Sequence, residues 1–422
     1  MHTRTSLTAI VILALGATSA AAQLPSASAP AFGMSGSYTA LARGYDAVAW
    51  NPALLGLDNN PSFSLSAASI GGFSALKPID LGMIKPYEGR DLPSGVRQDW
   101  LAKVTSQGGE IGRAEGGVTL LGASFGRLAY QIASSGYGEV NLSPDAFELL
   151  MFGNAGLTGQ PHDLRFAGSR VDAAAFTTGA VSFGLPTSIE VMGGRLALGV
   201  TGKYVLGNAM ARGEDDGSAL PANGTATLRF PVIYADPTEH LDHGHGIGAD
   251  VGAAWHVPGL TLSATLQNVM NTFRWDTTGM YVKMVSASFD GTTSSADVID
   301  VPYDSAAASL RANIRNARFA RVVSAGAALE LTRALTVTAN LREAGDGMVT
   351  GPRNAIGLGA ELRALSFLPV RGGLARVDGG WQASAGVGIH IFSFDLAVSA
   401  AMRQLESGSA SGIMLGLVSV GR

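Results

Sequence analysis

Two groups of residues in this chain have types and spacing that could do chemistry. His240, His243 and His245 fall within six positions of a segment that also holds acidic residues. Imidazoles so close together could bind a transition metal. Ser124 lies in the run 122–126, Gly-Ala-Ser-Phe-Gly, which matches the G-x-S-x-G pattern of serine hydrolases.

Both patterns also have a simpler interpretation. A hydrolase serine needs a sharp turn from a strand into a helix, whereas Ser124 falls between two predicted strands in a chain that contains 56 glycines. We therefore expect a chance match and no enzyme. The histidines have no helix or strand to fix them, which favours a solvated loop. We assign no metal or cofactor, and metal binding by His240, His243 and His245 stays an open alternative.

Composition limits the class of protein further. The 422 residues are 46% hydrophobic and only 15% charged, with a formal net charge of -4 and no cysteine. Disulfides and thiolate chemistry are excluded, and scattered basic residues give no reason to expect nucleic acid as a partner. Residues 1–22 resemble a secretory signal peptide that ends in an Ala-rich cleavage site. After it, no apolar run approaches the roughly 18 residues of a membrane-spanning helix.

Period-two alternation is the main structural signal, because successive side chains of a strand point to opposite faces of a sheet. From 335 to 342 the odd positions are Leu, Val, Ala and Leu, and the even positions are Thr, Thr, Asn and Arg. The segments 354–363, 382–391 and 393–403 separate in the same way. A soluble two-sheet sandwich could show this pattern too, and the lengths of the connections distinguish the two folds.

The alternation predicts about 14 strands, an even number that suits a membrane barrel. They lie near 62–76, 116–124, 127–137, 169–185, 195–207, 246–256, 260–275, 318–331, 335–343, 354–364, 368–376, 381–391, 393–402 and 412–421. Tight connections such as 125–126 and 257–259 alternate with long ones at 77–115, 138–168, 208–245 and 276–317. Bacterial outer-membrane barrels have this asymmetry between the two ends. We therefore predict an all-β, antiparallel transmembrane β-barrel in contact with membrane lipids.

The two faces of such a barrel have different requirements. Lipid requires a closed ladder and apolar outward side chains, while the inner face can hold polar groups. The charged residues predicted to face inward are Glu330, Arg342, Glu361, His390, Asp395 and Arg403.

Residues 23–60 precede the first strand and suit a small helical plug. Asn51 can fold onto nearby backbone, Pro52 fixes φ to open a short helical turn, and Ala53 follows. A second apolar helix is predicted in the loop after Ser143. It includes Phe147, Leu150, Met151 and Phe152, which form either a capture surface for an apolar ligand or a packing contact with the barrel rim or a neighbouring loop.

Residues 42–47, Ala-Arg-Gly-Tyr-Asp-Ala, followed by Asn51-Pro52-Ala53 resemble the FadL-like superfamily of outer-membrane transporters. The resemblance implies a 14-stranded barrel with an N-terminal hatch in the lumen, and diffusion of fatty-acid-like or hydrocarbon molecules. In that superfamily the ligand leaves through the barrel wall after a kink in the third strand, and Gly136 and Gly138 are the matching positions here.

The expected organisation is a signal peptide at 1–22, a hatch at 23–60 and a barrel at 61–422. The expected function is hatch-gated transport of a hydrophobic small molecule in the bacterial outer membrane, after assembly by the outer-membrane insertion machinery. The alternative is a PorV-like barrel that anchors or shuttles secreted surface proteins.

Overall fold

The computed structural model describes residues 27–153, 156–160, 162–222, 226–235, 241–289, 294–405 and 408–421. The predicted signal peptide and His240 lie outside these residues. Among the described residues, no helix is both long and apolar enough to cross a membrane.

Long antiparallel strands form the wall of the molecule. They are β1 (Phe63–Lys77), β2 (Glu110–Phe125), β3 (Leu128–Leu142), β5 (Arg170–Val191), β6 (Gly194–Glu214), β9 (Gly244–Val257), β10 (Leu260–Asn271), β14 (Val322–Glu330), β15 (Leu335–Ala344), β16 (Asn354–Leu365), β17 (Leu368–Val377), β18 (Gly380–Ile391), β19 (Phe394–Leu405) and β20 (Gly408–Gly421). Each pairs with the next in this order, and β1 also pairs with β20. The predicted strand positions agree closely with these strands.

The two faces of the wall differ as the alternation predicts. On β16, Ile356 and Leu358 are 63% and 65% exposed, whereas Glu361 is 5% exposed on the opposite face. Strand β18 exposes Val387 and Ile389, and buries Gln382. The outer face is therefore apolar, and the inner face holds the polar groups.

The connections at one end of the wall contain more regular structure than we predicted. They hold α3 (Leu81–Ile84), α4 (Ser94–Gln107), α5 (Pro144–Phe152), α6 (Ala308–Arg315), β4 (Leu164–Arg165), β7 (Ala219–Leu220), β8 (Ala226–Ala235), β11 (Arg274–Trp275), β12 (Tyr281–Phe289) and β13 (Ser294–Pro302), with short 3₁₀ turns at Lys85–Tyr87 and Tyr303–Ser305. The segments 208–245 and 276–317 were predicted to be loops without strands. That prediction was wrong, because β12 pairs with β8 and β13 to extend the sheet beyond the wall.

The N-terminal segment lies against the inner face of the wall. It contains α1 (Ala29–Gly33), a 3₁₀ turn at Gly44–Asp46, α2 (Ala47–Trp50) and a second 3₁₀ turn at Pro52–Gly56. Its apolar residues Met34, Val48 and Leu54 are at most 1% exposed, and they pack with alanines of β3, β5 and β6. This segment is called the hatch below.

Candidate functional site

Asn51 fixes the centre of the hatch. Its Oδ1 accepts a hydrogen bond of 3.0 Å from the Ala53 nitrogen, which caps the 3₁₀ turn that Pro52 opens. Its Nδ2 donates to the backbone oxygens of Ala253 on β9 and Ala264 on β10, at 3.2 and 3.1 Å. Because Asn51 is fully buried, these bonds satisfy an amide that would otherwise be costly to bury.

A row of glycines lets the hatch backbone approach the wall. Gly184, Gly199 and Gly252 are directly paired neighbours on β5, β6 and β9. A Cβ added to any of them would overlap the hatch: Leu55 and Gly56 at Gly184, Pro52 and Ala53 at Gly199, and the Asn51 side chain at Gly252. The missing side chains therefore form the seat of residues 51–56.

Polar side chains of other wall strands complete the seat. Four of them donate to hatch carbonyl oxygens: Ser263 to Thr39 (2.9 Å), Gln267 to Ala49 (2.9 Å), Thr338 to Ser37 (2.8 Å) and Ser399 to Ala29 (2.6 Å). Ser384 bonds both the nitrogen and the hydroxyl of Ser35. The hatch is thus bonded to strands on several sides of the wall.

A buried ion pair faces the hatch. Glu361 on β16 accepts from Arg371 on β17 at 2.7 Å, and both side chains are less than 10% exposed. Nearby within the hatch, Tyr38 donates to Asp46, which also accepts from Ser28. Burial raises the pKa of the Tyr38 phenol well above its usual value, so Tyr38 stays a neutral donor.

An aromatic cluster fills the inner face towards the long connections. Phe176 of β5 packs on Phe273, Trp275 and Phe319, with ring centroids 5.5, 5.3 and 5.1 Å away. Gly207 of β6 makes room, since a Cβ there would lie 2.5 Å from the Trp275 ring. Most members of this cluster that lie outside the wall strands come from residues 272–280 and 306–320. These two segments together are called the upper plug below. Sequence reasoning missed the upper plug because Phe273, Trp275 and Phe319 were assigned to the ends of predicted wall strands and the rest of its members to a predicted loop.

A cavity of about 790 Å³ lies beside the upper plug. Apolar and charged side chains both line it, among them Phe73, Tyr137, Met348, Arg318 and Arg353. The guanidinium groups of Arg318 and Arg353 donate to backbone oxygens, and neither makes an ion pair among the described residues. Acidic side chains line the cavity as well, and three of them are paired with arginines: Glu139 with Arg113, Asp172 with Arg212 and Glu115 with Arg403. The cavity therefore offers the guanidinium groups of Arg318 and Arg353 next to apolar surface, with Asp378 as a further acidic group in the lining.

The predicted capture residues lie on α5, in the loops above the wall. Phe147 and Met151 are buried against Trp100, Leu101 and Val104 of α4, while Leu150 and Phe152 are partly buried. Arg97 of α4 donates to the Met151 oxygen at 2.9 Å. The apolar face of α5 thus contacts a neighbouring loop helix.

The remaining candidates from the sequence can also be located. Ser124 is fully buried on β2 and shares a 2.7 Å hydrogen bond with Ser64 of β1, so it does not occupy a strand-to-helix turn. The described residues contain no group of three potential metal ligands, although His240 is outside them. Gly136 and Gly138 stay paired with both β2 and β5, so the ladder shows no kink at the position suggested by the resemblance.

Sequence comparison with protein-family models and with curated proteins finds no match. Solved structures do match. The toluene transporter TbuX of Ralstonia pickettii aligns with 93% of this chain and 97% of its own at 13% identity, with a TM-score of 0.51. A deletion mutant of the monoaromatic hydrocarbon channel TodX aligns with 89% of this chain and 93% of its own at 10% identity, with a TM-score of 0.50. A FadL homologue of Pseudomonas aeruginosa covers 94% and 99% at 12% identity, with a TM-score of 0.49.

The likenesses to TbuX and TodX show that this chain shares the β-barrel fold of those two proteins. They confirm the resemblance that was inferred from residues 42–47 and 51–53.

Proposed function

We propose that this protein is an outer-membrane channel for amphipathic, fatty-acid-like molecules, with residues 23–60 as its hatch and 61–422 as its barrel. The barrel would be closed and have fourteen wall strands, namely β1, β2, β3, β5, β6, β9, β10 and β14 to β20. The pairing of β1 with both β2 and β20 supports closure, which lipid requires of a sheet. The exposed apolar face supports a position in the membrane.

The observation that carries the ligand class is the composition of the cavity. Its apolar side chains suit a hydrocarbon tail, and the guanidinium groups of Arg318 and Arg353 suit a carboxylate head group. TbuX is described as a toluene transporter and TodX as a monoaromatic hydrocarbon channel. A neutral aromatic hydrocarbon is therefore the competing ligand class that the experiment must distinguish from a fatty acid. The anchor or shuttle alternative has no such observation in its favour.

The first test compares uptake of radiolabelled oleate and toluene by outer-membrane vesicles that contain the protein. We expect saturable oleate uptake, with a half-saturation concentration raised about ten-fold by Arg353→Ala, the loss expected when one charged hydrogen bond of about 1.5 kcal/mol disappears. Toluene uptake should not change. The matched control is Arg376→Ala, because Arg376 is exposed on the outer face. Saturable toluene uptake without oleate uptake would refute the ligand class.

The proposed gate is the hatch around Asn51, Pro52 and Ala53, and it can be tested with disulfides because the chain has no cysteine. Ser35 and Ser384 have hydroxyl oxygens 2.7 Å apart, so Ser35→Cys with Ser384→Cys should tie the hatch to β18. We expect oxidation to stop uptake and a reductant to restore it. The control pair, Ser182→Cys with Thr201→Cys, joins two wall strands at the same oxygen separation of 2.7 Å and should leave uptake unchanged.

In the same proposal the ligand first meets α5 and leaves sideways through the wall. Leu150 and Phe152 keep partial access to solvent, which supports a capture role together with Phe147 and Met151 beneath them. Leu150→Ser should lower the initial rate of oleate uptake. The same change at Leu157, which is exposed in the adjoining loop, should not lower it.

A further inference from the structure

Strand β10 departs from regular alternation where it passes between the hatch and the upper plug. Its inward residues Thr261, Ser263, Thr265 and Gln267 are buried, and the residues between them are more exposed. The alternation breaks at Asn268, which follows Gln267 directly and is also buried. Asn268 has φ +57°, and the register with β9 shifts between Leu266 and Met270. This bulge turns two consecutive side chains to the inner face.

The two side chains reach in different directions. Gln267 Nε2 donates to the backbone oxygen of Ala49 in the hatch at 2.9 Å. Asn268 Nδ2 donates to the backbone oxygen of Ala320 in the upper plug at 2.7 Å. One bulge therefore bonds to both the hatch and the upper plug.

A buried ion pair fixes the conformation of Asn268. Lys203 Nζ of β6 lies 2.6 Å from Asp250 Oδ1 of β9, and the two side chains are 5% and 2% exposed. Lys203 also donates to Asn268 Oδ1 at 2.8 Å, and the Asn268 nitrogen donates to Asp250 at 2.7 Å. Burying two charges is costly, and such pairs inside membrane proteins commonly serve function. Here the pair holds a backbone conformation that asparagine tolerates better than most residues do.

We infer that Gln267 and Asn268 are positioning residues that couple the hatch to the upper plug, so that displacement of one loosens the other. This inference rests on the proposed function for its role in transport, because both obstructions must move for a molecule to pass. The mechanism is local: the bulge can keep both hydrogen bonds only while Asn268 stays in its left-handed conformation. When the plug withdraws Ala320, the neighbouring bond from Gln267 to the hatch is weakened.

The experiment measures coupling without any ligand, so its failure is distinguishable from failure of transport. A single thiol, Val48→Cys, is placed in the hatch, where Val48 is 1% exposed, and its modification by a membrane-impermeant maleimide is timed in outer-membrane vesicles. The upper plug is loosened by Phe319→Ala, which removes the ring beside Ala320 from the aromatic cluster and leaves the side chains of the bulge unchanged. With Asn268 present, we expect Phe319→Ala to speed modification at least about five-fold, the effect of losing one hydrogen bond.

The same comparison is then made with Asn268→Gly, which keeps the positive φ accessible but removes the amide. Phe319→Ala should now change the rate less than about two-fold, within the scatter of additive sites. Gln267→Ala, which cuts the link at its hatch end, should abolish the coupling in the same way and serves if Asn268→Gly does not fold. Asn271→Ala is the control, because Asn271 contacts Phe319 at 3.4 Å outside the bulge. An equal effect of Phe319→Ala in all backgrounds would overturn the inference.

Discussion

Adding one methyl group to the wall at Gly199 should unseat the hatch. The new carbon would overlap the backbone of Pro52 and Ala53, which cannot rotate away as the end of a side chain could. Overpacking costs about 1–3 kcal/mol, and a displaced hatch also loses the two wall bonds of Asn51, about 1 kcal/mol each. We expect the seated hatch to be destabilised by about 3–5 kcal/mol, which is at least about 100-fold in the population of the open state.

The assay is the rate at which Val48→Cys is modified by an impermeant maleimide, because this rate follows the open fraction when opening is fast. Gly202→Ala is the matched control: it makes the same change on the same strand, where an added Cβ meets no atom within 4 Å. Heat-modified gel mobility verifies that each barrel is folded. Equal rates for Gly199→Ala and Gly202→Ala would show that the glycine row does not form the seat.

Three further predictions concern the inner face. Arg371→Leu should destabilise the barrel by about 1.5–3 kcal/mol in denaturant titrations, since the buried Glu361 loses one of its two arginine partners and keeps only the largely exposed Arg363; adding Glu361→Leu, which removes the buried charge, should recover most of the loss. Phe176→Ala should cost about 3–5 kcal/mol because the ring is fully buried among aromatic neighbours, and an unchanged unfolding midpoint would contradict this packing. Ser124→Ala should leave uptake unchanged and cost only about 1 kcal/mol for its bond with Ser64, whereas loss of a lipase activity would restore the hydrolase hypothesis.

Much of the wall could be predicted from the sequence because the alternation of apolar and polar residues is visible within each strand by itself. Outward Leu358 and inward Glu361 differ by an odd number of positions, and that parity alone assigns them to opposite faces. The hatch was found through Asn51 and Pro52, whose preferences are local. Capping by Asn51 was therefore predictable, but its partners Ala253 and Ala264 were not.

The parts that were missed depend on contacts between distant segments. Gly184, Gly199 and Gly252 are unremarkable in a chain with 56 glycines, and only the strand register aligns them. Asn268 resembles an ordinary strand residue until its positive φ is known. The charged partners Lys203 and Asp250 are 47 positions apart along the sequence, and no local pattern connects them.

The bonds of the hatch also determine when it can reach its place during folding. Ser399 donates to Ala29 across 370 positions of sequence, and Thr338 reaches Ser37 across 301. Such long loops form slowly, and strands β15 and β19 must be in place first. The hatch precedes these strands in the chain, but we expect it to dock only after they have formed, so the wall must assemble before the hatch can make its bonds to it.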